Sequence, residues 1–597
     1  MNSWHLPAGA APRTPDLSAA TSKISIRDSF RGKTVLITGT SGFLGKVWLA
    51  MVLDKLPEIG KLVVLLRKKG LRPASHRFEK IVNESPVFKP LHERFGADLS
   101  RYISERVEVV DGDIGQAGFG ISPDIAARLH RELDLVVNCA GLVDFDPDVR
   151  DAMNTNIDGA VNAVNFVAGC DKASLVHVST CYVAGNRSGR IAEEVVDGYT
   201  PKGLHIDPAG EVAAMRAKAD EVLAEHSGEA FEKALAESVE TKIAERGLDK
   251  NSAAVRKNVE KQERERVVRK AMEKLGSSRA AELGWPNTYT WSKSLSEQLM
   301  ARRAKEIGVR YSILRPAIVE SALEFPFPGW NEGFNTAGPL VYLLGTWFRG
   351  VPARPKNPFD VIPVDLVCKG ILVAAAETML GVQPQVYQCG TSDLHLFTVD
   401  RAVELTVLSH RQHYRENGES LIERALLSRW DGKTVKPDYV FSMGNIRKTA
   451  QSVGKLFGRA ADVLPKPAKK AAENAQKTVN DADKQLRGIQ RMCDLFQPFI
   501  HDNQWIFCAQ NLVRHHVVEA DLAFDMSQIH WRHYWKDVQV PGLRKWSFPQ
   551  FEGKDIEKFT PAVPFKMLSG KLHAVSTPVA APAKAAGESP ARLAVAS

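Results

Sequence analysis

Tyr289 and Lys293, in the run PNTYTWSK, stand four residues apart. On a helix that spacing puts both side chains on one face. An ammonium beside a phenol favours the phenolate, so Lys293 is expected to lower the pKa of Tyr289 and make it a proton donor usable near neutral pH. The same ammonium can hold a ribose hydroxyl. Upstream, SLVHVSTCYVAG supplies two hydroxyls. Thr180 is the expected anchor for a substrate carbonyl oxygen, with Ser179 as its rival. Asn156, in MNTNIDGA, either supports the lysine, directly or through water, or serves as a capping or packing amide. His177 reads as a core histidine rather than an acid–base group.

A second constellation lies near the start of the chain. TVLITGTSGFLGKVWL places Gly39, Gly42 and Gly45 between an apolar run and a helical period, with Thr40, Ser41, Phe43 and Leu44 filling the loop. Such a strand–glycine loop–helix unit cradles a pyrophosphate at the helix N-terminus. The competing reading is a glycine-rich turn without a ligand. The next strand run ends VVLLRKKG, with Arg67 where an NAD-preferring site would carry an acid. A guanidinium there can fork onto a 2′-phosphate, which predicts NADPH. Arg77 is placed to close the same pocket, whereas Lys68, Lys69 and Arg72 read as solvated surface charge. Asp113 and Ile114, in DGDI, are expected at the adenine. Asn138, Ala140 and Gly141, in NCAG, are expected along the cofactor, with Cys139 as a packing residue.

These residues need a scaffold that brings them together. Five short apolar runs (TVLITG, KLVVLLR, RVEVVDGDI, LDLVVNCAG, SLVHVSTCYVAG) alternate with helical periods, and VRYSILRPAIV and QVYQCGTS follow later. Continuous Val/Ile/Leu runs suit strands buried on both faces, so the fold class is α/β, a doubly wound parallel sheet. Residues 1–28 read as a flexible leader and 29–400 as the NADPH-binding domain. Within the latter, about 205–284 is an Ala/Glu/Lys/Arg-rich helical insertion. Residues 401–568 read as a mainly helical C-terminal domain and 569–597 as a disordered tail.

Composition narrows the classes. The 597 residues are 44% hydrophobic and 25% charged, which excludes a wholly disordered chain, a collagen and a coiled coil. A net charge of +9 spread over this length does not call for nucleic acid. Seven irregularly spaced cysteines suggest neither a disulfide framework nor a zinc site and fit a reducing compartment. His410/His413 and His515/His516 have no third ligand of fitting spacing, so no metal is expected and surface histidines are the favoured reading. Without a secretory leader or a spanning helix, the expected location is cytoplasmic. Much of the positive excess sits between Arg447 and Arg491. There Val453, Leu456, Phe457, Ala460, Val463 and Leu464 form an apolar stripe flanked by Lys455 and Arg459. Such a stripe either packs on the sheet domain or makes a peripheral contact with a lipid surface.

TGTSGFLGK, VHVSTCYVAG, YTWSK and ILRPAIV together resemble the extended short-chain dehydrogenase/reductases. More narrowly, PNTYTWSK, RPAIVESALEFPFPGWNEGFNTAG, DVIPVD and AFDMSQIHWRHYWKDVQVPGLRKW resemble the alcohol-forming fatty acyl-CoA reductases, over roughly residues 32–546. Two features depart from that family: the 180–289 interval is much longer than usual, and the 447–491 segment has no counterpart. The resemblance implies NADPH-dependent reduction of a long-chain acyl-CoA to an aldehyde and then to a primary alcohol, with Thr180 and Tyr289 at the oxyanion. It also implies that Pro316, Ile318 and Val319 border the nicotinamide and that the C-terminal helices wall the acyl chain. The rival readings are a thioester reductase that stops at the aldehyde, a nucleotide-sugar epimerase or dehydratase, and an NADPH-binding regulator without chemistry. Oligomeric state and the choice of CoA or acyl-carrier protein as donor stay open.

Overall fold

The computed structural model describes residues 23–68, 70, 72–333, 337–346, 348–418, 423–436, 490, 493–556 and 559–568. The 569–597 tail, residues 1–22 of the leader and the 447–491 segment apart from Gln490 lie outside the described residues.

Seven strands form the central sheet: β1 (Thr34–Thr38), β2 (Lys61–Leu66), β3 (Val107–Asp111), β4 (Leu135–Asn138), β5 (Ser174–Val178), β6 (Tyr311–Pro316) and β7 (Val386–Cys389). Their order is β7-β6-β5-β4-β1-β2-β3, and every pairing is parallel. The chain leaves β1 towards one edge and returns at β4 towards the other. The crevice between the C-terminal ends of β1 and β4 is therefore the topological switch point, where open α/β sheets bind ligands. The helices used below are α1 (Phe43–Lys55), α2 (Ala74–Glu84), α3 (Gly159–Ala168), α4 (Thr288–Ile307), α5 (Val364–Leu380) and α6 (Val399–Asn417). Burial on both faces explains why β4 and β5 are apolar runs without alternation: every residue of each is buried.

Three helices, Pro208–Glu225, Glu229–Glu245 and Ala253–Leu283, occupy the long interval before α4. The third carries Met272, Ala280 and Leu283 into one cluster with Val212 and Met215, and with Trp291 and Leu295 of α4. Arg279 grips Glu211 through two hydrogen bonds of 2.6 and 2.7 Å. This added layer thus packs on the outer side of α4.

Two expectations need correction. The flexible leader does not reach residue 28, because from Lys23 the chain belongs to the fold. Lys23–Ile24 pairs with His516–Val517, Ile26 is fully buried, and Glu519 accepts from Ser25 Oγ and from the amides of Ile26 and Arg27. Burying Ile26 and satisfying those donors offsets the entropy cost that would leave the segment loose. Nor is His410 a surface residue. It is fully buried, bonds the Val341 carbonyl at 2.8 Å and touches Arg544.

The C-terminal segment carries short strands as well as helical turns, and it interlocks with the sheet domain. Trp505–Phe507 pairs with Gly189–Ile191. Tyr534 donates to the Ser321 carbonyl at 2.7 Å, and Gln539 bridges Glu320 and the Ser321 amide. Among the described residues, no helix is long and apolar enough to cross a membrane.

Candidate active site

The glycine loop starts where β1 ends. Gly39 has φ +80°, and a Cβ on it would stand 2.7 Å from the Ala140 amide and the Cys139 carbonyl carbon, so only glycine fits. A Cβ on Gly45 would strike the Gly39 carbonyl. Gly42, which caps α1, differs: a Cβ there would meet only the Gly39 carbonyl oxygen, at 3.4 Å. The fold tolerates a methyl at Gly42, so its bareness serves whatever lies over the loop. Gly42→Ala should keep the wild-type melting temperature while weakening dinucleotide binding roughly tenfold, about the cost of one lost close contact. Calorimetry and cofactor titration on one sample would check both; equal losses in stability and affinity would contradict it.

The switch-point crevice meets the chemical requirements of a dinucleotide. Thr40 Oγ1, in the loop, is buried with no hydrogen-bond partner. The first turn of α1 has no side-chain cap. Phe43 stacks on Trp330 at 5.1 Å, which fixes the loop from its far side. At the end of β2, Arg77 Nη1 donates to the Arg67 carbonyl at 3.3 Å. Burial and the neighbouring Arg67 charge lower the proton affinity of Arg77. Arg67 stands 3.9 Å from Asp113, whose carboxylate also accepts from the Gly115 amide. Both arginines thus gather at the end of β2, with Asp113 beside Arg67. Ile114 is buried, and its carbonyl accepts from Asn162 of α3.

Thr180 follows β5. Its hydroxyl accepts from the Tyr182 amide and donates to the Pro316 carbonyl at 3.4 Å. Tyr289 sits in the first turn of α4, whose N-terminus is capped by Asn287. Its amide is held by the Phe145 carbonyl at 2.9 Å, and its phenol is hydrogen-bonded to Thr180. Tyr289 and Thr180 therefore present adjacent hydroxyls. Ser179, the rival, has a buried hydroxyl without a partner.

Lys293 lies one turn further along α4 and is 3% exposed. Its role differs from the expectation. Nζ donates to the Val178 carbonyl at 2.8 Å and stands 3.4 Å from His177 Nε2. Burial lowers its pKa to about 8. The phenol of Tyr289 is not acidified: burial pushes it up to about 12, against the opposing Thr180 hydrogen bond. A tyrosine so placed stays protonated through the neutral range, which suits a proton donor. Asn156 does not bond the lysine either. Its side chain clamps Leu142, accepting from the amide at 2.8 Å and donating to the carbonyl at 3.1 Å, and it also donates to Ser292 Oγ. It shapes the loop after Gly141 and pins that loop to α4.

Asn138 is fully buried between Thr38 and His177, and Ala140 donates its amide to Thr38 Oγ1. Pro316 lends its carbonyl to Thr180, and the Ile318 amide is held by the Asp360 carbonyl. Val319 pairs with Ile362. Burial raises the Cys139 thiol to about 12, so it is a neutral packing group. Among the described residues, no cluster of three or more His, Cys, Asp or Glu could hold a metal ion.

Comparison with known proteins decides the family. The family model described as "Male sterility protein", an NAD(P)-binding family, matches residues 37–371, more than half of the chain. The chain belongs to this family. Relatives of this chain include the probable fatty acyl-CoA reductase 4 of Arabidopsis thaliana, 28% identical over 86% of this chain and 96% of that one. Another is the alcohol-forming fatty acyl-CoA reductase of Simmondsia chinensis, 27% identical over 87% and 98%. Among solved structures, the reductase domain of a non-ribosomal peptide synthetase from Mycobacterium tuberculosis aligns at 16% identity over 77% of this chain and 83% of that one, with a TM-score of 0.40.

Sequence reasoning missed two features around the site. His177 was set aside as core, yet it touches the lysine. Its alignment with Asn138 and Thr38 was available only through strand register. The aromatic wall was missed as well. Tyr182 packs against Phe499, Trp505 and Phe507 at 4.9, 5.1 and 5.3 Å, and Phe145 stacks on Phe499 at 5.6 Å.

Proposed function

We propose that the chain reduces long-chain fatty acyl-CoA to the primary alcohol in two NADPH-dependent steps at this one site. The observation that carries the reading is the hydroxyl pair of Thr180 and Tyr289 beside the switch-point crevice. Two neighbouring O–H donors suit an oxygen that gains negative charge as a carbonyl is reduced. NADPH, when bound, supplies the hydride. Thr180 and Tyr289 hold the carbonyl oxygen, and Tyr289 gives up its phenolic proton to it. The thiohemiacetal left by the first step loses CoA thiol and becomes an aldehyde, whose oxygen meets the same two donors in the second.

A narrow, closely packed apolar pocket marks where the acyl chain would lie. Leu340, Val341 and Leu344 line one side, Val403 of α6 another, and Ile500 and Trp535 close it from the C-terminal segment. Phe499, next to Ile500, packs on Phe145, whose carbonyl holds the Tyr289 amide. Preference for NADPH over NADH rests on the Arg67–Arg77 pair.

The test is incubation with palmitoyl-CoA and NADPH, with lipid products identified by mass spectrometry. Hexadecanol with two NADPH oxidised per acyl-CoA is expected. Hexadecanal with one would favour the aldehyde-releasing reading, and no acyl-dependent oxidation would overturn both.

A further inference from the structure

Strand register builds a row of polar side chains through the sheet. Thr38 of β1 lies opposite Asn138 of β4, and Asn138 lies opposite His177 of β5. In a parallel sheet, residues in register point to the same face. Here they join into one chain of hydrogen bonds. The Ala140 amide donates to Thr38 Oγ1 at 3.1 Å, and that hydroxyl donates to Asn138 Oδ1 at 2.7 Å. Asn138 Nδ2 stands 3.1 Å from His177 Nδ1, and His177 Nε2 stands 3.4 Å from Lys293 Nζ. Thr38, Asn138, His177 and Lys293 are each 3% exposed or less.

The row has a direction. Ala140 is a backbone donor and cannot reverse its role. The Asn138 oxygen is turned to the threonine hydroxyl and accepts from it, which leaves the amide nitrogen to donate to His177 Nδ1. An imidazole that accepts at Nδ1 and is neutral carries its proton on Nε2. Burial and the lysine charge hold His177 neutral, well below its ordinary pKa. The proton on Nε2 then faces Lys293. An N–H aimed at a nitrogen suits an amine with a free lone pair and opposes an ammonium.

We propose that His177 is a positioning residue for the reaction: locked by Asn138 and Thr38, it fixes Lys293 Nζ and eases the loss of a proton from that lysine. The other groups facing Lys293 work in the opposite sense. Glu297, one turn along α4, favours the ammonium, although its carboxylate is also engaged by Arg315; a negative charge on Cys139 would do the same, but that thiol is neutral. On the α4 side stands Tyr289, protonated through the neutral range. Without the imidazole N–H, Glu297 and the Val178 carbonyl would hold the proton on Lys293 to higher pH.

The inference rests on the reductase reading, and the test keeps the two apart. NADPH affinity is measured by fluorescence from pH 6 to 10, alongside the pH profile of palmitoyl-CoA-dependent NADPH oxidation. Wild type should show an alkaline inflection near 8 in both, as Lys293 loses its charge. In His177→Phe, which keeps the ring volume, that inflection should rise by roughly one pH unit, the size of one ordinary hydrogen bond. His177→Gln can accept from Asn138 and still present an N–H to the lysine, so its inflection should stay at the wild-type value. Asn138→Ala frees the ring to adopt the other tautomer and should raise the inflection; it decides the matter if His177→Phe does not fold. Unchanged inflections in His177→Phe, or in Asn138→Ala where that variant decides, would overturn the inference and leave His177 a packing residue. NADPH binding without any acyl-dependent oxidation in wild type would overturn the substrate reading alone, because the binding profile still reports on Lys293.

Discussion

Tyr289→Phe should fold normally, bind NADPH nearly as well as wild type, and turn over palmitoyl-CoA roughly 10²–10⁴-fold more slowly, the usual contribution of a positioned proton donor. The substitution removes one oxygen and keeps the ring that fills the start of α4. Two losses coincide in it: the proton for the alkoxide and one of the two O–H groups that hold the carbonyl. Thr180 would keep the other, so the residual rate should exceed that of a Thr180→Val/Tyr289→Phe double variant. Because burial holds the wild-type phenol near 12, the loss should be as large at pH 6 as at pH 8. Single-turnover measurement with NADPH prebound separates chemistry from binding. Near-normal turnover in a folded Tyr289→Phe protein would remove Tyr289 from the reaction.

Arg67→Ala should weaken NADPH binding by roughly 10–150-fold, because a hydrogen bond to a charged group contributes about 1.5–3 kcal/mol. NADH binding should change far less. The reason lies in the arrangement at the end of β2. Burial and the charge of Arg67 disfavour the charge on Arg77, and the Asp113 carboxylate stands 3.9 Å from Arg67. A 2′-phosphate entering that space would relieve the repulsion, whereas a ribose hydroxyl would not. Raising the salt concentration should narrow the NADPH advantage, because Arg67 is two-thirds exposed and its attraction is screened. Equal losses for the two cofactors would show that Arg67 does not read the phosphate.

What the sequence determined by itself was everything carried by local pattern. Val/Ile/Leu runs of strand length announced β1, β2, β4 and β5 because a strand covered on both faces is mostly apolar, whereas the edge strand β3 carries Glu108 and Asp111 and is only partly buried. The glycine spacing announced the loop because a positive φ at Gly39 is a property of one residue. The four-residue separation of Tyr289 and Lys293 put them on one helical face before any fold was known.

Tertiary structure alone decided what depends on which atoms become neighbours across long stretches of chain. Lys293 was expected beside the phenol, yet Nζ went to Val178 and His177, partners more than a hundred residues away that no local spacing reveals. Asn156 went to Leu142 and to Ser292 Oγ instead of the lysine. Proton affinities followed burial rather than motif, so Tyr289 rose where an acidified phenol was expected. The segment from Lys23 joined the fold through Glu519, almost five hundred residues away, and a local composition rich in small and polar residues cannot encode such a partner. His410 likewise became buried because α6 is covered by the helix that holds Val341 and by Arg544. The row from Thr38 to His177 is the clearest case. Asn138 and His177 were read one at a time, and only the parallel register, fixed by hydrogen bonds between strands about a hundred and about forty residues apart in the chain, turns Thr38, Asn138 and His177 into one directed path to the lysine.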